Sequence, residues 1–130
     1  MDRLFLDANI LFSAAYRPDA GLLQLWRIRH VELYSSRYAL AEAEINLSDH
    51  VQRKRLKDLS GSLRLVESRS PMLPRGIVLP QKDAPILIAA IEAHATHLLT
   101  GDVRHFGPYF GRKIGGVTIL LPAEYLKRRP

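Results

Sequence analysis

Leu4-Phe5-Leu6-Asp7-Ala8-Asn9, near the start of the chain, and Leu98-Leu99-Thr100-Gly101-Asp102, near its end, are built alike: a short apolar run that stops at an acid. Arg3 to Leu6 and His97 to Thr100 have the length and apolar character of buried strands. The sequence between them alternates. Ile10 to Ala15 and Gly21 to Ile28 carry helix-like apolar spacing, broken around Pro18. Val31 to Tyr34 is a second strand candidate, and Ser36 is placed to cap a helix that runs to about Leu47. A basic helix over Val51 to Leu59 stops near Gly61, and Leu63 to Val66 reads as a third strand. Ser70 to Pro80, with three prolines and one glycine, is expected to be an irregular connection. Asp83 opens a strongly apolar helix to about Ala95, with Pro85 in the first turn, where a missing N–H costs nothing. A glycine-rich loop precedes a last strand, Val117 to Leu121, and Pro122 starts a short helix ending in Lys127-Arg128-Arg129.

Strands that alternate with helices predict an α/β protein whose mostly parallel sheet is covered on both faces. Such sheets hold their ligand sites beyond the carboxyl ends of the strands. Asp7 and Asp102 both fall at that edge. A length of 130 residues is that of one ordinary domain, so a single domain over 1–130 is expected.

Composition narrows the classes. With 47% hydrophobic and 25% charged residues the chain has the balance of a soluble globular protein. It contains no cysteine, which excludes disulfides, thiolate zinc sites and a cysteine nucleophile. No apolar run is long enough for a signal peptide or a membrane span, so a cytoplasmic protein without membrane contact is expected. The formal charge of +6 favours a polyanionic partner through phosphate neutralisation, although many basic proteins bind no nucleic acid.

Taken one at a time, the acids are unremarkable in chemical terms. Asp7 and Asn9 are ordinary helix caps, Asp83 at a helix start suits both capping and the helix dipole, and Gly101-Asp102 is what a plain turn uses. Glu42 and Glu44 are equally readable as solvated surface residues. Taken together they read differently, because the strand-end acids converge on one edge of the sheet and the glutamate-bearing helix flanks it. Mutual repulsion makes such a cluster costly without a cation, and hard ions such as Mg²⁺ prefer oxygen ligands. The chemistry suited to that arrangement is phosphoryl transfer.

These stretches resemble the PIN-domain family. Leu4 to Leu11 is similar to the family's opening strand and first acid, and Ser36 to Glu42 to its helix-borne acid six residues past a serine. Asp83-Ala84-Pro85-Ile86-Leu87 is similar to the third acidic segment, and Leu98 to Asp102 to the fourth. His105-Phe106-Gly107 and Thr118 to Leu126 resemble one branch of the family. The resemblance spans nearly the whole chain and keeps the acids in order. It implies a three-layer α/β/α sandwich and a ribonuclease in which Asp7, Glu42, Asp83 and Asp102 hold Mg²⁺ or Mn²⁺, directly or through water. Many relatives are toxins of the VapC type, so the expected partners are an RNA substrate, an antitoxin protein and a second copy of the chain in a homodimer.

Around those acids, Asn9, Ser36 and Thr100 are candidates to orient carboxylates or waters, with capping and turn formation as their plain alternative. Periodicity does not separate Glu42 from Glu44. The family register favours Glu42, and Asn46, one turn on, is placed to hydrogen-bond its carboxylate. The histidines form no metal site by spacing and read as surface or packing residues; a loop histidine such as His105 is more often structural than functional. His50, Arg53, Lys54 and Lys57 form a basic stripe at helix spacing, so Arg53, Lys54 and Lys57, with Arg104, are the candidate RNA-binding cations. Two rival readings stand beside the nuclease: a PIN-like module that binds RNA or protein without cleaving, and a phosphatase of the haloacid dehalogenase type, which Asp7-Ala8-Asn9 loosely echoes. The second has Leu11 where that family shows Thr or Val, and leaves Glu42 without a role.

Overall fold

The computed structural model describes residues 1–67, 69 and 72–129. The elements run β1 (Asp2–Leu6), α1 (Ala8–Tyr16), a 3-10 helix (Gly21–Arg27), β2 (Val31–Ser36), α2 (Arg37–Asn46), α3 (His50–Ser60) and β3 (Leu63–Val66). They continue with α4 (Ala84–Glu92), β4 (His97–Leu99), α5 (Val103–Phe106), a 3-10 turn (Gly107–Tyr109), β5 (Lys113–Ile114), β6 (Val117–Leu120) and α6 (Pro122–Arg128). Within the expected irregular connection, Ser70 and Pro71 lie outside the described residues; 72–80 carries neither helix nor strand.

One six-stranded sheet has the order β3-β2-β1-β4-β6-β5, parallel throughout except where β5 pairs antiparallel with β6. β1 lies inside it, and Leu4, Phe5 and Leu6 are fully buried. From β1 the chain steps outward to β2 and β3, returns across the sheet to β4 and then moves on to β6. Right-handed crossovers that step one way place α1, α2 and α3 on one face, and those that step back place α4 on the other. The reversal falls between β1 and β4, which pair as Leu4 with His97 and Leu6 with Leu99. Connections leaving those two carboxyl ends diverge and open a crevice between them.

Three elements differ from the expectations. Gly21–Arg27 is a 3-10 helix rather than an α-helix: Leu22, Leu25 and Ile28 recur every three residues, which suits three residues per turn. The glycine-rich stretch is a hairpin. Gly115 and Gly116 both take positive φ, at 57° and 88°, and form the two-residue turn that joins β5 to β6. α4 ends at Glu92, short of Ala95, because the backbone turns left-handed at His94, with φ 55°. Among the described residues no helix is long and apolar enough to cross a membrane.

Candidate active site

Asp7 is the first residue past β1, and its N–H donates to the Leu99 carbonyl at 3.1 Å, which ties the two strand ends together. Its Oδ1 caps α1 by accepting from Ala8 N at 2.7 Å. Its Oδ2 accepts from Thr100 Oγ1 at 2.8 Å and from Asn9 Nδ2 at 3.0 Å. Thr100 is fully buried, and its hydroxyl also accepts from Asp102 N at 3.1 Å, so one side chain sets two acids. Asn9 completes the link, its Oδ1 accepting from Gly101 N at 2.8 Å. Asp7 is only 4% exposed, and this burial pushes its carboxyl up to about 6. The bonds from Thr100 and Ala8 work against that rise, and the charges of Asp83 and Glu42 add to it.

Asp102 follows β4 and caps α5, accepting from His105 N at 3.0 Å; its Oδ2 meets His105 Nδ1 at 2.8 Å. Burial pushes this carboxyl up, but the two bonds and the charge of His105, helped by Lys82, outweigh it and hold the group below the ordinary carboxylate range. Asp83 behaves in the opposite way. It makes no side-chain cap to α4, so the capping alternative does not hold for it. Its Oδ2 lies 3.0 Å from His105 Nδ1, within ion-pair distance. The same ring nitrogen faces Asp102 Oδ2 at 2.8 Å and can carry only one hydrogen, so it cannot donate to both acids, and Asp83 Oδ2 is buried without a hydrogen-bond partner. Burial, with the charge of Asp102 added, raises its affinity for a proton, against the pull of His105 and Lys82.

A buried carboxylate oxygen with no donor is a costly arrangement unless a cation completes it. Ligand atoms of Asp83, Asp102 and His105 all lie within 4.8 Å of one another, a spacing that fits a single ion. The two carboxylates of the group, with no sulfur beside them, suit a hard divalent metal, and the imidazole nitrogen is already turned to the acids. Among the described residues this is the tight group; Asp7 and Glu42 stand outside it. They line the same cavity of about 810 Å³, which Asn9, Asn46, Lys82, Asp83 and Asp102 also line.

α2 sorts the two glutamates. Glu42 lines the acidic cavity, whereas Glu44 lines a separate groove with Leu40, His50, Arg53, Lys54 and Lys57. The expected partner of Glu42 differs in detail: Asn46 Nδ2 donates at 2.9 Å to the Glu42 main-chain carbonyl, not to its carboxylate. The amide thus bonds back one turn along its own helix and leaves the Glu42 carboxylate without that partner. Ser36 is buried and caps α2 by accepting from Ala39 N at 3.0 Å; among the described residues its hydroxyl bonds none of the acids, and it acts by fixing where the helix begins. The basic stripe is set apart from the acids. Arg53 donates through Nε to the Leu47 carbonyl and so closes the end of α2, with Lys54 and Lys57 in the Glu44 groove. Arg104 is exposed on α5.

Two residues were undervalued by the sequence reading. His105, read as packing or surface, sits between two acids, and its signal was the three-residue spacing from Asp102. Lys82, unremarked in sequence, is the cation that lines the acidic cavity and acts on Asp83 and Asp102.

Solved structures share this architecture. The VapBC2 complex of Rickettsia felis bound to a DNA fragment from its promoter contains a chain that superposes with a TM-score of 0.64 at 18% identity, covering 90% of this chain and 96% of that one. A chain of FitAB bound to an IR36 DNA fragment gives 0.55 at 16% identity, over 92% and 94%. FitAcB from Neisseria gonorrhoeae gives 0.56 at 17%, over 92% and 98%. At such identities the likeness concerns the fold. No curated protein sequence matches the chain significantly. Sequence supplies the family independently of these superpositions, since the PIN-domain model matches residues 3–104, from β1 through Asp102, and the chain therefore belongs to the PIN-domain family.

Proposed function

We propose that this protein is a metal-dependent endoribonuclease whose centre is the Asp83–Asp102–His105 group. The observation that carries the reading is the buried Oδ2 of Asp83, without a hydrogen-bond partner, on a residue that lines one cavity with Asp7, Glu42 and Asp102. Asp83 and Asp102, with Asp7 and Glu42 directly or through water, would hold Mg²⁺ or Mn²⁺. Such an ion supplies charge neutralisation at a scissile phosphate and acidifies water. The chain's own residues do the positioning. Thr100 and Asn9 fix the Asp7 carboxylate, and the His105 ring fixes Asp102. Lys82 puts a positive charge at a cavity whose other charged lining residues are acids, where a phosphate would need it.

Membership of the PIN-domain family leaves no place for the dehalogenase-type phosphatase. The likeness to chains of the VapBC2 and FitAB complexes supports an antitoxin-type partner protein; a homodimer in the cytoplasm completes the proposal. The test is incubation of the purified chain with single-stranded and hairpin RNA in Mg²⁺, Mn²⁺ or EDTA. Endonucleolytic products that need the metal and vanish in Asp83→Asn are expected. Binding of RNA without cleavage under every metal condition would leave the non-catalytic module in its place.

A further inference from the structure

We infer that a groove beside the acidic cavity, lined by Tyr38, Pro80, Gln81, Lys82, Pro85 and His105, seats the nucleotide next to the scissile phosphate, with its base on the Tyr38 ring and its phosphate at the Lys82 ammonium. The inference rests on the nuclease reading of the adjoining cavity and adds to it a place for the strand. The groove has a volume of about 680 Å³, room for one nucleotide. Lys82 lines both it and the acidic cavity, so the two adjoin at that residue.

Tyr38 lies one helical turn before Glu42, so ring and carboxylate share a face of α2. The residue is 43% exposed, but its ring is not free to swing, because its hydroxyl donates to the Lys82 carbonyl at 2.7 Å. An exposed aromatic side chain held at its far end is a preformed stacking surface, which avoids the cost of ordering it on binding. The charges of Glu42, Asp83 and Asp7, after burial, all push the Tyr38 hydroxyl up, which places it in the field of the acidic cavity. Among the described residues Lys82 forms no ion pair, so its charge is open to a phosphate. The two prolines add rigid apolar walls. Aromatic face, unpaired cation and adjoining carboxylates are what one unpaired nucleotide requires: stacking for the base, charge for the phosphate.

The experiment measures anisotropy of a fluorescein-labelled single-stranded octaribonucleotide with the full chain in Ca²⁺, and cleavage of the same octamer in Mn²⁺. Tyr38→Ala is expected to weaken binding about tenfold, as loss of a base–aromatic stack does, and Tyr38→Phe to recover most of the affinity. Lys82→Gln is expected to flatten the dependence of log K on log salt by about 0.7. The proposal is overturned if the octamer does not bind, if Tyr38→Ala binds within twofold of wild type with an unchanged circular dichroism spectrum, or if Tyr38→Phe is as weak as Tyr38→Ala. The two readings separate cleanly. Wild-type cleavage with a Tyr38-independent Kd removes the groove and keeps the nuclease; Tyr38-dependent binding without cleavage in any metal keeps the nucleotide seat and removes the nuclease.

Discussion

Asp7→Asn takes one negative charge out of the most buried acid of the cavity at nearly constant volume. Burial holds this carboxyl at about 6 in the folded chain, against an ordinary value of 3.8. Between those values the unfolded chain has released its proton and the folded chain keeps it. Stability is therefore lost as pH rises from about 4 to about 6, and stays lowered above that. Each tenfold in proton affinity is worth about 1.4 kcal/mol, so the full effect is about 3 kcal/mol, on the order of 10 °C in Tm. The variant has no such titration. It does turn an NH₂ group toward the donors of Thr100 and Asn9, a cost that does not vary with pH. Thermal and urea unfolding in EDTA from pH 4 to 8 gives the wild-type minus variant difference. The expected outcome is a shift of about 3 kcal/mol in favour of the variant across that range. A flat difference would refute the assignment of Asp7 as a desolvated carboxylate. Adding Mg²⁺ or Mn²⁺ at one hundred times its Kd should then return about 2.7 kcal/mol to the wild type at pH 7.5, and less to the variant.

Glu42→Gln should lower metal-dependent cleavage by orders of magnitude while Glu44→Gln stays within a few-fold of wild type, since only Glu42 lines the acidic cavity; parallel kcat/KM measurements check the ranking. Thr100→Val removes the hydroxyl that serves both Asp7 Oδ2 and Asp102 N, and should cost about 1–3 kcal/mol in denaturant midpoint, with weaker metal binding by calorimetry. Joint neutralisation of Lys54 and Lys57 should leave cleavage of a short oligomer unchanged, because they line a groove apart from the acids, while flattening the salt dependence of binding to long RNA; an unchanged slope moves the long-RNA contact elsewhere. Arg53→Gln alone should lower Tm, since the Leu47 carbonyl loses its donor.

The alternation of strands and helices, the strand-end positions of Asp7 and Asp102 and the start of α2 at Ser36 were legible in sequence because each depends on neighbours within a few positions: an apolar run, a cap, a turn residue. The hairpin at Gly115-Gly116 is local as well, since two adjacent glycines between short strands are the signature of a two-residue turn. The resemblance to the PIN-domain family drew its strength from the order of short motifs along the chain, and the match over residues 3–104 extends across the same four acids.

What the acids do to one another was decided only by the tertiary structure. Thr100 reaches Asp7 across 93 positions, and no local pattern indicates which of its possible partners a hydroxyl will meet. Asp83 occupies a capping position in sequence, yet packing turns its carboxylate away from its own helix toward His105, and burial leaves one oxygen without a donor. The basic stripe has helical period whichever way the helix faces; docking of α3 against α1 and α2 sets it in a groove apart from the acids. Periodicity states that residues share a face. Desolvation and the direction in which that face points are properties of the packed chain, and in this protein they determine which carboxylates are left in want of a cation.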